Sequence, residues 1–273
     1  MSEQVIVQCM DVNTHFGAHH VLKNINLTVR PGETVGLVGE SGSGKTTLGR
    51  AILGIGPVSS GRILFEGQDI AGVAPRDRKG KAASIQAVFQ DPYTSLNPSM
   101  TIEDILTEPI VARGQASRAE AVTRVRTLLD QVALPSDAAS RYPREFSGGQ
   151  RQRVAIARAL ALSPHLIVCD EPVSALDLST QARVLDLFVE IQERTGVAYL
   201  FVSHDLSVVR HISHRVAVMR GGEIVEFGEC DQVTANPRHD YTRRLLLAAP
   251  VADPVRQAER RAAFRALATN GAA

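Results

Sequence analysis

The sequence predicts an α/β fold in which a helical stretch interrupts a set of buried strands, and three observations carry that prediction. Continuous apolar runs at residues 35–38, 166–169 and 198–202 read as strands covered on both faces. A glycine-rich loop from Gly39 to Gly44 follows the first run and leads directly into good helix formers. Across residues 92–161 strand-like runs vanish and helix-capping signatures replace them.

Each element follows from local pattern. In residues 21–38, Ile25, Leu27 and Val29 alternate with polar residues, Arg30, Pro31, Gly32 and Glu33 break the run, and Val35 resumes it, which gives strand, turn, strand. The glycine loop then opens a helix over residues 46–53, and further strands are expected at 61–65 and 84–89. Three helix starts carry capping signatures: Thr101 with Asp104, Ser117 with Glu120, and Ser147 with Gln150. A strand at 166–169, a helix over 180–194, a strand at 198–202 and a hairpin turning at Arg220, Gly221 and Gly222 complete the series. No internal repeat or low-complexity tract is present, so the chain holds one copy of this unit.

Composition sets outer bounds. The 273 residues are 44% hydrophobic and 22% charged, the profile of one or two globular domains and not of a disordered chain. Thirty basic and 29 acidic side chains leave a net charge of +1, so no overall attraction to nucleic acid or anionic lipid is built in. Cys9, Cys169 and Cys230 are odd in number and lack C-x-x-C spacing, which predicts reduced thiols and neither a disulfide framework nor a thiolate metal site. The first residues carry no basic stretch followed by a long apolar one, and no run approaches the roughly 18 to 20 apolar residues of a spanning helix; the expectation is a chain neither exported nor membrane-spanning.

The chemistry begins at Gly39, Glu40, Ser41, Gly42, Ser43, Gly44, Lys45 and Thr46, which fit the phosphate-binding loop G-x-x-x-x-G-K-[ST] between a buried strand and a helix. Glycines let the backbone curl so that several N–H groups aim at phosphate oxygens, and the helix start adds its positive dipole end. Lys45 is positioned to reach the β- and γ-phosphates and the Thr46 hydroxyl to ligate Mg²⁺. A turn that merely joined strand to helix would need no Lys-Thr there. Such a site also needs a carboxylate for the metal and a group that activates water. Asp170 and Glu171, at the end of the apolar run 166–169, offer both, although a strand ending in Asp-Glu is by itself as often a helix cap or a solvated strand end.

The pentapeptide Phe146, Ser147, Gly148, Gly149, Gln150, together with the phosphate loop and Asp170-Glu171, closely resembles the signature of the ATP-binding cassette (ABC) family, and the resemblance spans nearly the whole chain. The family usually has Leu where this chain has Phe146. From the residues alone, Ser147 and Gln150 make a capping box, and Gly148 and Gly149 expose backbone N–H groups as a second anion-binding surface; a plain helix cap is the alternative. The resemblance implies a P-loop NTPase (RecA-like) core with an antiparallel β subdomain and an inserted α-helical subdomain. It implies one domain over residues 1–254, with the helical part at about 92–161, and a tail at 255–273.

It further implies ATP and Mg²⁺ as ligands. Phe16 would stack on adenine, residues Gly39 to Thr47, Thr47 included, would hold the phosphates, and Thr46, Gln90 and Asp170 would contact the metal. Glu171 would act as base with Gln90 and His204 beside it, and residues 174–177, ending in Asp177, would line a seam between two cassettes. There Ser147, Gly148, Gly149 and Gln150 of one cassette would close over ATP held by the other. Taken singly, Phe16 reads equally well as core, Gln90 as a strand end and Asp177 as a helix cap, and His204 more readily as a structural histidine.

Longer phrases, at residues 88–98, 146–153, 171–177 and 240–250, look like the dipeptide, oligopeptide and nickel importer branch. That branch implies a second ABC ATPase subunit, usually a different paralogue, two membrane permeases, an external solute-binding protein and no nucleic acid, at the cytoplasmic face of the bacterial inner membrane. No Cys follows Cys230, so the iron–sulfur segment of some branch members is not carried over. A soluble ABC ATPase acting on DNA or ribosomes would call for a second cassette, a long coiled-coil insertion or a basic face, and a non-hydrolysing sensor for degraded motifs; neither pattern is visible. The Ala- and Arg-rich residues 255–267, with Arg256, Arg260, Arg261 and Arg265, read as a solvated end or as a membrane-surface helix.

Overall fold

The protein is described here as a computed structural model covering residues 4–78, 81–91 and 95–248. It opens on a hairpin of β1 (Val7–Phe16) and β2 (His19–Val29), followed by β3 (Thr34–Val38), α1 (Lys45–Leu53), β4 (Ser60–Phe65), β5 (Gln68–Asp69), a short α2 (Lys81–Ser84) and β6 (Ile85–Phe89). Three helices come next: α3 (Ile102–Ala112), α4 (Arg118–Gln131) and α5 (Gly148–Leu160). The remainder alternates again through β7 (Leu166–Asp170), α6 (Leu178–Thr195), β8 (Ala198–Val202), α7 (Leu206–Ile212), β9 (Arg215–Arg220) and β10 (Glu223–Glu229), ending in α8 (Cys230–Ala235) and α9 (Asp240–Ala248).

Two sheets result. One is antiparallel and four-stranded, in the order β2-β1-β4-β5; the other is six-stranded, β10-β9-β3-β8-β7-β6, parallel except for β10. Alternation along the parallel strands assigns their side chains to two cores. On β7 and β8, Ile167, Cys169, Tyr199 and Phe201 pack with α3 to α6, while Leu166, Val168, Leu200 and Val202 pack with α1 and the antiparallel sheet. Phe188 of α6 meets Tyr199 and Phe201 edge-on, at centroid distances of 5.4 and 5.5 Å, and locks the helical side onto the sheet. Both faces of the parallel strands are therefore covered, which is why their sequences are unbroken apolar runs.

The caps expected from sequence fix the helix starts. Ser117 and Ser147 each form a full capping box, and the Thr101 side chain accepts the Asp104 amide. The hairpin at residues 220–222 joins β9 to β10 as expected. α6 begins two residues before the expected helix because Asp177 caps it. Strand β6 starts one residue late, since Ser84 belongs to α2. Strand β1 has no counterpart among the expected elements. Its register slips between Cys9 and Val12 and again between Val12 and Thr14, with Asp11 at φ 48°, so the period-two pattern that marks a strand is broken in the middle.

No helix among the described residues is long and apolar enough to cross a membrane. All three cysteines are buried and free, and burial pushes the Cys9 thiol up to about 12, far from thiolate reactivity. The Arg- and Ala-rich residues 255–267 lie outside the described residues.

Strand β3 runs so close to α7 that Gly36 has no room for a side chain: a Cβ there would lie 2.2 Å from Val209 Cγ1 and 2.5 Å from Ser213 Oγ. Gly36→Ala is expected to cost about 1–3 kcal/mol of unfolding free energy, the usual range for overpacking. Urea denaturation checks this, and an unchanged midpoint would show that α7 yields freely.

Candidate active site

The sheet register assembles the site. Leu37 pairs with Val202, Val202 with Asp170, and Asp170 with Phe89, so β3, β8, β7 and β6 finish at the same level. The residues that follow each strand, namely the Gly39 loop, Ser203-His204, Glu171 and Gln90, therefore emerge along one carboxyl edge, where open α/β sheets hold their ligands.

Gly39 opens the loop at φ 153°, and a Cβ there would lie 2.2 Å from the Met219 carbonyl oxygen, so the strand-to-loop corner is built for glycine. The loop runs into α1, whose N-cap Gly44 makes no side-chain hydrogen bond, and the first amides of the helix are left for an external anion. Lys45 is buried and curls back over the loop, its Nζ donating to the Gly39 and Glu40 carbonyls, each at 2.8 Å. Burial lowers its pKa, while Glu171, Asp170 and Glu40 pull it up again. The Ser43 hydroxyl is buried without a hydrogen-bond partner, a donor that an anion on the loop would satisfy.

Thr46 Oγ1 donates to Asp170 Oδ1 at 3.0 Å and joins the helix start to the end of β7. Burial raises the Asp170 pKa and Glu171 adds to the rise; Thr46, Arg50 and Lys45 oppose it. A divalent cation beside these oxygens would remove that frustration. Glu171 sits at φ 50°, a left-handed conformation costly for a residue with a Cβ. Three bonds hold it there: its amide donates to the Val202 carbonyl at 3.0 Å, and its carbonyl accepts from the Ser174 amide at 3.3 Å and hydroxyl at 3.0 Å. His204 Nδ1 lies 3.2 Å from Glu171 Oε2.

Residues 147–150 meet the start of α6. Ser147 and Gln150 bond to each other at the start of α5, the Ser147 amide to Gln150 Oε1 at 2.9 Å and the Gln150 amide to Ser147 Oγ at 3.3 Å. Gly148 lies against Leu176 and Gly149 against Thr180, so this helix start abuts that of α6. Asp177 accepts the Ser179 and Thr180 amides at 3.1 and 3.0 Å and the Ser179 hydroxyl at 2.7 Å, hydrogen bonds that hold its carboxyl far below the usual range. Among the described residues no hydrogen bond joins residues 147–150 to residues 39–47. Phe16, at the tip of the β1–β2 hairpin opposite His19, is 52% exposed and is no core residue; Gln90 is exposed just past β6.

Sequence reasoning gave Tyr241 no part in this site. Its hydroxyl accepts the Glu40 amide at 3.1 Å across 201 positions of sequence. Nothing in local pattern couples the two.

Comparison with known proteins identifies the family and the fold. The family model described as "ABC transporter" matches residues 22–174. The chain is 51% identical over 242 residues to the glutathione import ATP-binding protein GsiA of Escherichia coli O157:H7, and 50% identical over the same length to that of strain K12; each match covers 89% of this chain. The chain spans only 39% of the length of these relatives. Among solved structures, cbiO1 from Clostridium perfringens, part of the ABC transporter complex cbiONQ, superposes with a TM-score of 0.77 at 30% identity, covering 89% of this chain and 96% of that one. The ADP conformation of MJ1267, an ATP-binding cassette of an ABC transporter, gives 0.75 at 26% identity, covering 87% and 98%. The family match over more than half of the chain, together with these relatives and superpositions, shows that this chain belongs to the ABC transporter family and has the fold of its ATP-binding cassettes.

Proposed function

We propose that the chain is the ATP-hydrolysing subunit of an ABC importer of the peptide or nickel type. The observation that carries the reading is the convergence on one sheet edge of an uncapped helix start, a buried lysine and the Asp170-Glu171 pair. An anion seated on the loop replaces the Gly39 and Glu40 carbonyls as partners of Lys45. The triphosphate lies along residues Gly39, Glu40, Ser41, Gly42, Ser43, Gly44, Lys45, Thr46 and Thr47, with adenine on Phe16. Thr46, Asp170 and Gln90 supply oxygen donors suited to Mg²⁺, which when bound neutralises charge on the phosphates.

Glu171 takes a proton from water as the water oxygen bonds to the γ-phosphorus and the bond to the β-bridging oxygen breaks. ADP leaves with that electron pair, balanced by Lys45 and the loop amides. His204, beside the Glu171 carboxylate, orients it and reports the γ-phosphate. Ser147, Gly148, Gly149 and Gln150, at the start of α5, cover the γ-phosphate of a second ATPase subunit, with Asp177, at the start of α6, lining the seam. Closure of the pair by ATP, and reopening after hydrolysis, drives the permeases.

The domain is taken as residues 1–254, with the helical part, about 92–161, facing two permease subunits at the cytoplasmic face of the cell membrane. A different paralogue is the expected second subunit and an external binding protein delivers the solute; likeness to the glutathione import proteins favours a short peptide as cargo. The test is purification of the tagged full-length chain from membranes. Expected are two permeases, a second cassette and ATPase activity raised by a peptide solute; a chain recovered with DNA or ribosomes and no permease would overturn the importer reading.

A further inference from the structure

The phosphate loop is held from its outer side by parts of the chain that the nucleotide chemistry does not use. The Gly222 amide, in the β9–β10 turn, donates to the Ser43 carbonyl at 3.1 Å, and the Gly222 carbonyl in turn accepts the Lys23 amide at 2.9 Å. At the other end of the loop the Glu40 amide donates to Tyr241 Oη at 3.1 Å. Glu40 is the second residue of the loop, and its amide is engaged by the Tyr241 hydroxyl. Tyr241 is 4% exposed and lies in α9, the last described helix, with the Arg220 guanidinium 5.0 Å from the ring centroid.

The tyrosine is itself anchored. Buried Glu226 of β10 accepts the Arg238 amide at 2.8 Å and the His239 amide at 3.1 Å, which fixes the entry to α9. Burial pushes the Glu226 carboxyl up, but those amides, with Thr242 and Gln232, outweigh it and leave it below its usual value. The chain of contacts therefore runs from β10 through Glu226 to α9, and through the Tyr241 hydroxyl to the backbone of the loop.

We infer that Tyr241 is a positioning residue for nucleotide binding: its hydroxyl holds the first turn of the phosphate loop in the curled form, so that ATP meets a cradle already shaped. The inference rests on the nucleotide reading of residues 39–47. It acts on the free state of the loop. A loop that must be ordered when ATP arrives binds it more weakly, because the ordering entropy falls on the binding step. The chemical step, which depends on Glu171, is left alone.

Tyr241→Phe removes only the oxygen and keeps the buried ring. Full-length wild type, Tyr241→Phe and Lys45→Ala are titrated with a fluorescent trinitrophenyl derivative of ATP, and turnover is followed in the assembled transporter. Tyr241→Phe is expected to weaken binding about tenfold, or ~1.4 kcal/mol, and to raise KM in step while kcat stays within about twofold. The nucleotide-free melting temperature should move by no more than about 3 °C. A folded Tyr241→Phe chain that binds as wild type does, or that loses kcat with KM unchanged, would overturn the inference.

Amide exchange at Glu40 is the second measurement and needs no folded variant. In wild type without nucleotide this amide should exchange far more slowly than that of its exposed neighbour Ser41; equal rates would also overturn the inference. Absence of nucleotide binding by wild type would instead remove the reading of the site, while the exchange result would still decide whether the brace exists.

Discussion

Glu171→Gln is expected to cut ATP turnover in the assembled transporter by about 10²–10⁴-fold, the range attached to a lost general base, with ATP affinity nearly intact. The reason is in the geometry. The side chain sits at the end of β7 on a residue forced to φ 50°, its backbone tied to Val202 and Ser174, and its carboxylate 3.2 Å from His204 Nδ1. Such strain persists where the surroundings over-determine the position. Glutamine is nearly isosteric and keeps those backbone bonds, but it cannot accept the water's proton. The variant should bind ATP, close with its partner subunit and stall there, so single-turnover rates and a stable ATP-bound dimer are the readouts. Turnover preserved within about threefold would assign the base elsewhere.

Lys45→Ala is expected to reduce turnover by another route, through weaker binding of the nucleotide. Lys45 makes two charge-assisted bonds to the Gly39 and Glu40 carbonyls, and the same ammonium is buried beside the loop proposed to hold the phosphates. A hydrogen bond to a charged group is worth about 1.5–3 kcal/mol, so affinity should fall about 10- to 150-fold. Removal also strips partners from two loop carbonyls, and a small loss of stability without nucleotide is expected alongside. Equilibrium titration separates this variant from Glu171→Gln: one binds more weakly, the other binds and stalls. Equal nucleotide affinities for Lys45→Ala and wild type would remove the phosphate reading of the loop.

Much of the fold is legible because its local signals agree with its tertiary role. The runs 35–38, 166–169 and 198–202 are apolar throughout because both faces of those strands are covered, by helices on one side (α7 for the first run) and by α1 with the second sheet on the other. Ser117 and Ser147 mark helix starts because the capping residue and its partner lie three positions apart in the chain. Strand β1 escapes notice because its bulges break alternation, and its stability comes from β2 and β4, which lie elsewhere in the sequence. The terminal helices α8 and α9 are short, and it is contact with β9 and β10, including the Glu226 carboxylate, that fixes their place.

By itself, the sequence determined which residues are candidates for holding phosphate and taking a proton, because a glycine-rich loop, a lysine beside a helix start and a carboxylate after a buried strand are properties of short segments. Only the tertiary structure decided that Gly39, Gln90, Glu171 and His204 share one edge, through the register of β3, β8, β7 and β6. It also decided that Tyr241 touches the loop and that the helix start at Ser147 abuts the start of α6. The physical reason is that strand register and helix docking are set by the burial of whole faces, a sum over many side chains distant in the chain, which no short segment encodes.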